Sequence, residues 1–372
     1  MAETSASRSI LISAGGTGGH MSPAAALAGD LRARGYHVPL ATDRRGRGYS
    51  GDFGSDNIHV LKAGYLGAGL TGKIKGLFKL GTGYFQARKL IRRIRPEVVV
   101  GFGGYPSLPA VLAAQHAGIP TIIHEQNAVL GRANAFLAPK ASRIAISLTS
   151  TAGMDEADAV RAVVTGNPVR APIAAMYTQP YPQLYHDGTL NLLVIGGSLG
   201  ALVFSDVVPA ALSTLDTAYK NRIYVVQQAR EEDIARTCQA YDTAGIRGEI
   251  QPYFDDVADR LAGAHLVIAR AGASTVAEIA TAGRPAIFVP YPHHADQQQK
   301  INADTIADAG GAWVMTQAGF TSEALSGKIE TFLQNPKILF QAAENARSCA
   351  RPDATRRLGN LVVALAAGWD KI

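Results

Sequence analysis

Ile10-Leu11-Ile12-Ser13-Ala14-Gly15-Gly16-Thr17-Gly18-Gly19-His20-Met21-Ser22-Pro23 passes from an apolar run through four glycines into a helix-starting pair. It reads as strand, turn and helix, with Ser22 expected as the N-cap and Pro23 as the first helical residue. Glycine lets another molecule come close to the main chain, and a helix start offers unpaired N–H groups and partial positive charge. An anion is the natural guest of such a turn. The stretch is neither common nucleotide fingerprint: Met21 stands where the dinucleotide pattern has glycine, and no Gly-Lys-Ser/Thr follows.

The same logic returns at Leu190-Asn191-Leu192-Leu193-Val194-Ile195-Gly196-Gly197-Ser198-Leu199-Gly200-Ala201. Two similar α/β domains in tandem are therefore expected, each a parallel sheet with crossover helices. Apolar runs predict strands at Ser9–Ser13, Val38–Ala41, Ile58–Leu61, Val98–Gly101, Thr121–His124 and Arg143–Ile146 in the first half. In the second half they fall at Ile223–Gln227, Ile250–Pro252, Leu266–Ala269 and Ala286–Val289. Helices are expected at Pro23–Arg34 and Pro109–Ala117, and the proline-rich stretch after Pro168 reads as a linker. The expected division is 1–168 and 169–352, with a closing amphipathic helix at about 353–372 packing back on the first domain.

The chain has 372 residues, of which 47% are hydrophobic and 18% charged, as in an ordinary globular protein. Its two cysteines, Cys238 and Cys349, make no disulfide framework and suggest a reducing compartment. No signal peptide is apparent, and no run reaches the ~18 apolar residues needed to span a bilayer, so a cytosolic protein is expected.

A net charge of +6 points to an acidic partner, and its placement is informative. Asn57 to Pro96 holds no Asp or Glu, while Lys73, Lys75, Lys79, Arg88, Lys89, Arg92, Arg93 and Arg95 crowd its second half. Among them lie Leu70, Ile74, Leu77, Phe78, Leu80, Tyr84 and Phe85. Such a segment suits a membrane surface, with cations on anionic headgroups and apolar side chains in the interface. A core helix with a solvated basic face is the other reading. Nucleic acid is not expected, because no recognised nucleic-acid module accompanies the patch.

Further loops occupy strand-to-helix positions. Gly103-Gly104-Tyr105-Pro106-Ser107 offers a second anion loop, and His124-Glu125-Gln126-Asn127 places four polar residues after an apolar strand. In Gly166-Asn167-Pro168-Val169-Arg170 the arginine suits a phosphate, although a surface arginine needs no such role. In Arg270 to Glu278, Thr275 and Glu278 have capping-box spacing, yet a carboxylate there also suits ribose hydroxyls. The loop Pro290 to Asn302 holds His293, His294 and Asp296, without zinc-site spacing, and the amides Gln297, Gln298 and Gln299, which suit sugar hydroxyls.

Gly15 to His20, Gly103 to Tyr105, His124 to Asn127, Gly166 to Arg170, Gly196 to Ser198, Gly272 to Glu278 and Asp296 to Asn302 together resemble the MurG family. These are the peptidoglycan N-acetylglucosaminyltransferases that convert lipid I to lipid II. The resemblance implies a GT-B fold, two tandem Rossmann-like doubly wound domains facing across a cleft. It implies UDP-N-acetylglucosamine as donor, undecaprenyl-pyrophosphoryl-N-acetylmuramyl-peptide (lipid I) as acceptor, and no cofactor. The expected place is the cytoplasmic face of the bacterial inner membrane, as a peripheral protein on an anionic surface beside other cell-wall synthesis or division proteins. It also strengthens the membrane reading of the basic segment.

The resemblance further implies roles. Ser198 and Arg170 lie near the donor diphosphate, with Ala273, Ser274 and Thr275 close to its phosphates. Glu278 holds the ribose, the Phe254 backbone meets uracil, and Gln298 and Gln299 contact the sugar. Thr17, Gly18, Gly19 and Asn127 reach the same donor, while Gly15, Gly16, Gly103, Gly104 and Tyr105 cradle the acceptor diphosphate.

The expected chemistry is direct displacement with inversion at the donor's anomeric carbon, which needs a base and a stabilised leaving diphosphate. His20 is the expected base, because imidazole, with an ordinary pKa near ~6.5, accepts a proton at neutral pH. A loop-orienting role for His20 is the alternative, and Glu125 is the reserve base. No Asp-x-Asp occurs, so no metal clamp is indicated. A UDP-N-acetylglucosamine 2-epimerase, a glycolipid glycosyltransferase and a non-catalytic membrane recruiter are the rival readings.

Overall fold

A computed structural model describes residues 8–369 apart from 17, 50–52, 55–56, 65–68, 198–199 and 294–296, and omits the side chains of 49 and 69–74. Thr17, Ser198, His294 and Asp296 thus lie outside the described residues, as does the side chain of Lys73.

The chain forms two compact units, Met1–Arg170 with Asp353–Ile372, and Ala171–Pro352. The first is built on a parallel sheet of β1 (Ile10–Ser13), β2 (Leu40–Thr42), β3 (Ile58–Val60), β4 (Val98–Gly101), β5 (Thr121–Glu125), β6 (Arg143–Ile146) and β7 (Ala162–Val164). Its order is β3-β2-β1-β4-β5-β6-β7, with Ile10 opposite Val98 and Ser13 opposite Gly101. Alternation along each strand supplies two cores. Ile10, Ile12, Val98 and Val100 pack with Leu27, Leu31, Leu358 and Val362. Leu11, Val99, Ile123 and Ile144 face the other way, with Leu90, Ile91, Ala110 and Val111. Both faces are covered, so the central strands read as unbroken apolar runs.

The closing helix, Ala354–Ala366, packs on the helix Gly18–Ala33. Arg34 Nη1 donates to Asn360 Oδ1 at 2.8 Å across that contact.

The second unit repeats the plan with β8 (Leu190–Ile195), β9 (Ile223–Gln228), β10 (Arg247–Gln251), β11 (Leu266–Ala269), β12 (Ala286–Phe288) and β13 (Ala312–Val314). The order is β10-β9-β8-β11-β12-β13, again all parallel. Leu192, Val194, Leu266 and Ile268 bury against Phe204, Val208, Leu325 and Ile329.

Several local expectations need correcting. The helix expected from Pro23 begins at Gly18, and that expected from Pro109 begins at Gly104, so Ser22 and both prolines lie inside helices. The loop glycines Gly18 and Gly104 open these helices, so each proline is the sixth residue of its helix and leaves one carbonyl of the first turn without its intrahelical N–H. The supposed linker after Pro168 is not loose. Ile173, Met176 and Tyr181 are buried in the second unit, and the Tyr181 hydroxyl donates to His265 O at 2.8 Å. Arg347 Nη1 donates to Tyr177 O and Gln179 O, both at 2.6 Å, pinning the same segment. β7 and β13 are strands of three residues at sheet edges, too short to carry a period. β10 ends before Pro252, which has no N–H to extend a ladder.

Candidate functional site

In open parallel sheets, ligands bind beyond the carboxyl ends of strands where the strand order reverses. In the first sheet that point lies between β1 and β4, which lead into the Gly15–His20 and Gly103–Ser107 loops. In the second it lies between β8 and β11, which lead into the Gly196–Gly200 and Arg270–Gly272 loops. Each unit therefore presents its most glycine-rich turns at its own switch point.

In the first unit, Gly103 and Gly104 have φ of 78° and 69°, a doubled left-handed step that favours glycine. It turns the chain under His20, in the first turn of its helix, so that a Cβ built on Gly104 would stand 3.3 Å from His20 Nε2. Tyr105 and Ser107 follow in the first turns of the next helix, and the Ser107 hydroxyl donates to Gly104 O at 2.9 Å. Gly15 is hemmed in, its virtual Cβ lying 2.7 Å from Pro106 Cβ. Gly16, expected at the acceptor diphosphate, donates its N–H to Asp43 Oδ1 at 3.1 Å. Asp43 also accepts from Gly46 N and pairs with Arg45 at 3.1 Å, so part of this loop already has its anion. Gly18 and Gly19 are the first two helical residues.

His20 Nδ1 lies 3.1 Å from Gln126 Oε1, and Gln126 Nε2 lies 3.0 Å from His124 Nδ1. Gln126 Nε2 also donates to Phe102 O and His124 O, each at 3.1 Å, and His124 Nε2 lies 3.1 Å from Gly166 O. His124 is fully buried, and burial pushes its pKa down to about 4.

Glu125, expected as the reserve base, has the geometry of a brace. It is 2% exposed, and its Oε1 accepts from Asn127 N and Nδ2, both at 3.0 Å. Its Oε2 accepts from Gly131 N at 2.9 Å and Asn134 Nδ2 at 2.8 Å. A carboxylate offers about four lone-pair sites, and here four donors take them. The physical reason is that β5 runs through Glu125, which buries the carboxylate under the turn it stabilises. Asn127 is thereby turned towards Glu125. Asn134, which also donates to His124 O at 3.1 Å, is a site residue that sequence reasoning missed. Arg170 is half-buried and closes the first unit, after Gly166 at φ 83°.

In the second unit, Gly196 N donates to Gln228 Oε1 at 3.1 Å, and Gln228 Nε2 donates to Pro252 O at 3.2 Å. Gln228, not singled out from sequence, thus ties the glycine loop after β8 to the segment leading into Phe254. Phe254 is buried beneath the Arg260 guanidinium, 5.0 Å from its ring centroid, so its backbone is the part left for a ligand. Ala273, Ser274 and Thr275 form the first turn of the helix Ala273–Ala282, which is capped by Gly272 without a side-chain bond. The capping box of Thr275 and Glu278 does not form, because the helix starts before Thr275, and Glu278 lies in its second turn. Arg270 Nη1 donates to Val289 O and Pro290 O at 3.0 and 3.2 Å, and its Nη2 to Gln317 Oε1 at 2.6 Å, fixing the chain beyond β12. Gln298 and Gln299 open the helix Gln298–Ala307, and Gln299 Oε1 accepts from Tyr291 N at 2.9 Å. The described residues contain no group of three His, Cys, Asp or Glu placed to hold a metal ion.

Residues 10–146 match the N-terminal domain of glycosyltransferase family 28, and residues 191–358 match its C-terminal domain. A curated relative from Rhodospirillum centenum is 47% identical over 96% of this chain and 94% of its own length. It is called UDP-N-acetylglucosamine–N-acetylmuramyl-(pentapeptide) pyrophosphoryl-undecaprenol N-acetylglucosamine transferase. The crystal structure of Acinetobacter baumannii MurG aligns with a TM-score of 0.75 at 32% identity, covering 96% of this chain and 99% of that one. A UDP-GlcNAc 2-epimerase from Neisseria meningitidis, bound to UDP-GlcNAc, aligns at 0.64 with 13% identity, over 95% of this chain and 99% of that one, a likeness of fold alone.

Proposed function

The chain belongs to glycosyltransferase family 28, and from that membership we propose the reaction it performs and the division of labour between its units. It is a hexosyltransferase that moves N-acetylglucosamine from UDP-N-acetylglucosamine to the 4-hydroxyl of the N-acetylmuramic acid of lipid I, forming lipid II for peptidoglycan. The observation that carries the reading is identity of 47% to a transferase of that name, sustained over 96% of the chain and through both family domains.

The first unit receives the lipid-linked acceptor. Its helix start at Gly18 and the Gly103–Tyr105 turn favour the acceptor's diphosphate through the positive end of each helix dipole. The second unit receives the donor. There the helix start at Ala273, Ser274 and Thr275 faces the charge that develops on departing UDP, with no group needing to reorganise as it forms. Glu278, relieved of a capping role, is suited to the ribose hydroxyls.

The 4-hydroxyl attacks the anomeric carbon as UDP leaves from the opposite face, and His20 takes the hydroxyl proton. Glu125 is unsuited to that step because its oxygens already accept four hydrogen bonds.

The helix Gly69–Ile94 supports a peripheral place on the cytoplasmic face of the inner membrane. Leu77, Phe78 and Phe85 are 68%, 77% and 69% exposed on it, beside the exposed cations Lys75, Lys79, Arg88, Lys89, Arg92 and Arg93. No helix among the described residues is long and apolar enough to cross a membrane, so attachment through an interfacial helix is the mode this surface supports.

The test is transfer of radiolabelled N-acetylglucosamine from its UDP donor to a lipid I analogue, for the wild type, His20→Ala and Glu278→Ala. Labelled lipid II from the wild type is expected, with a loss of about 10²-fold or more in His20→Ala at retained UDP affinity. Glu278→Ala is expected to raise the donor KM. Conversion of the donor to its epimer without transfer overturns the reading.

A further inference from the structure

We infer that Gln126 and His124 are positioning residues that fix the tautomer of His20, leaving its Nε2 as the nitrogen that accepts the proton. The inference rests on His20 as base and goes beyond it, because it says which atom is basic and what makes it so.

The assignment starts from groups that can only accept. Gly166 O is a carbonyl, so His124 Nε2, 3.1 Å away, must carry the hydrogen of that bond. A neutral His124 then has a bare Nδ1, which accepts from Gln126 Nε2 at 3.0 Å. Phe102 O and His124 O, each 3.1 Å from the same Gln126 nitrogen, are also pure acceptors. Three acceptors around one atom identify it as the amide nitrogen. The amide oxygen of Gln126 therefore faces His20 Nδ1 at 3.1 Å, and since that oxygen cannot donate, Nδ1 carries the proton. Neutral His20 is left with its lone pair on Nε2, the atom beside Gly104.

Each link resists reversal. Turning the Gln126 amide over would set its oxygen against two carbonyl oxygens and a bare ring nitrogen in a buried site, where unpaired or opposed polar groups are costly. Protonating His124 Nδ1 would be the other way to reverse the chain, and burial holds the pKa of His124 near about 4, so it stays neutral around neutral pH. The relay ends on a neutral carbonyl rather than a carboxylate. It therefore orients His20 and selects its tautomer, and on the Nδ1 side the positive charge that His20 acquires on taking the proton meets the amide dipole of Gln126.

Solution imidazole favours the opposite tautomer only modestly, so a single well-placed acceptor is enough to invert the preference. The first experiment is a long-range 1H–15N NMR spectrum of the whole protein labelled with 15N-histidine, at pH 7.5, with His20 identified by its loss in His20→Gln. The expected spectrum has a protonated Nδ1 and a bare Nε2 for His20, and a bare Nδ1 for His124. A His20 that carries its hydrogen on Nε2 overturns the relay, and this result needs no activity.

Gln126→Met keeps the length of the side chain and removes both halves of its amide, and Gln126→Glu keeps an acceptor towards His20. In Gln126→Met the His20 signals are expected to shift towards the Nε2-protonated form, and kcat to fall about 10-fold or more with the donor KM unchanged. Gln126→Glu is expected to lose turnover as well, because its second oxygen stands against Phe102 O and His124 O where the amide nitrogen donated. A wild-type His20 tautomer in Gln126→Met refutes the relay. Wild-type transfer by His20→Gln would instead refute His20 as base, and the NMR result would stand apart from it.

Discussion

Gly104 lies so close beneath His20 that a methyl group on it would stand 3.3 Å from Nε2 and 3.4 Å from Pro106 Cδ. The same residue has φ 69°, a left-handed backbone that costs an alanine about 1–2 kcal/mol. Gly104→Ala should therefore act twice, as backbone strain and as a steric block at the nitrogen assigned to proton transfer. The expected result is a fall in kcat of about 10-fold or more, with UDP binding by calorimetry unchanged. Unit-one stability should drop by the strain alone, a shift of a few degrees in Tm for about 1–2 kcal/mol. Full transfer activity in this variant would sink the assignment of Nε2 as the reacting atom.

Glu125 is expected to matter for folding rather than for proton transfer. Glu125→Ala strips the acceptor from Gly131 N, Asn127 N and Asn134 Nδ2 in a buried turn. At about 1–3 kcal/mol for each orphaned donor, partly relieved by relaxation, the variant should lose several kcal/mol and express poorly. Glu125→Gln keeps one acceptor and should be milder. Thermal melting and turnover measured on the same samples decide it: the activity lost should follow the fraction unfolded. A Glu125→Gln variant that melts like the wild type but has lost about 10³-fold in kcat would restore Glu125 as the base.

The central strands and their loops were legible because both faces of each sheet are buried. Val98-Val99-Val100 and Leu266-Val267-Ile268 are apolar without alternation, and their ends are marked by the glycines that follow. What escaped notice depends on residues distant in sequence. Asn134 sits in a short helix and Gln228 at the end of β9, and nothing near either residue says that one braces Glu125 and the other bridges Gly196 to Pro252. Helix starts were misjudged for a different reason. A proline normally marks the first turn, but the helices around Pro23 and Pro109 begin five residues earlier, at Gly18 and at Gly104, moving the start into the anion loop itself. The consequence is functional, since the N–H groups of Gly18 and Gly19 belong to the helix terminus.

Membrane attachment should depend on Phe78 and Phe85. They stand two turns apart on the helix Gly69–Ile94, and Arg88, Lys89 and Arg92 continue the same stripe. Burying a phenylalanine fully is worth about 1.5–3 kcal/mol, so partial insertion of two supports a change of about 10-fold to 10²-fold in vesicle affinity. The double variant Phe78→Ser with Phe85→Ser should float less with phosphatidylglycerol vesicles, and binding should weaken further as salt screens the cations. Transfer to a short-chain, water-soluble acceptor should be unaffected. Unchanged flotation would assign this face to another partner.

Acidification should destabilise both units through one buried histidine in each. Burial is the first cause of lowered pKa at His124, and also at His265, where the Arg284 guanidinium adds to it; both are pushed down to about 4. In the unfolded chain each titrates near ~6.5, so between that value and about 4 the unfolded state holds more protons than the folded one. Stability is then complete above pH ~6.5 and is lost as pH falls through the window, by up to about 1.4 kcal/mol per pH unit for each histidine. His265 offers the cleaner test, because His124 also supports His20. His265 Nδ1 accepts from Asn191 N at 2.9 Å, a role that the amide oxygen in His265→Gln can take without gaining a proton. Melting between pH 7.5 and pH 5 should show a smaller fall in Tm for this variant than for the wild type. Parallel curves would mean that His265 titrates alike in the folded and the unfolded chain, and that the acid sensitivity of the second unit arises elsewhere.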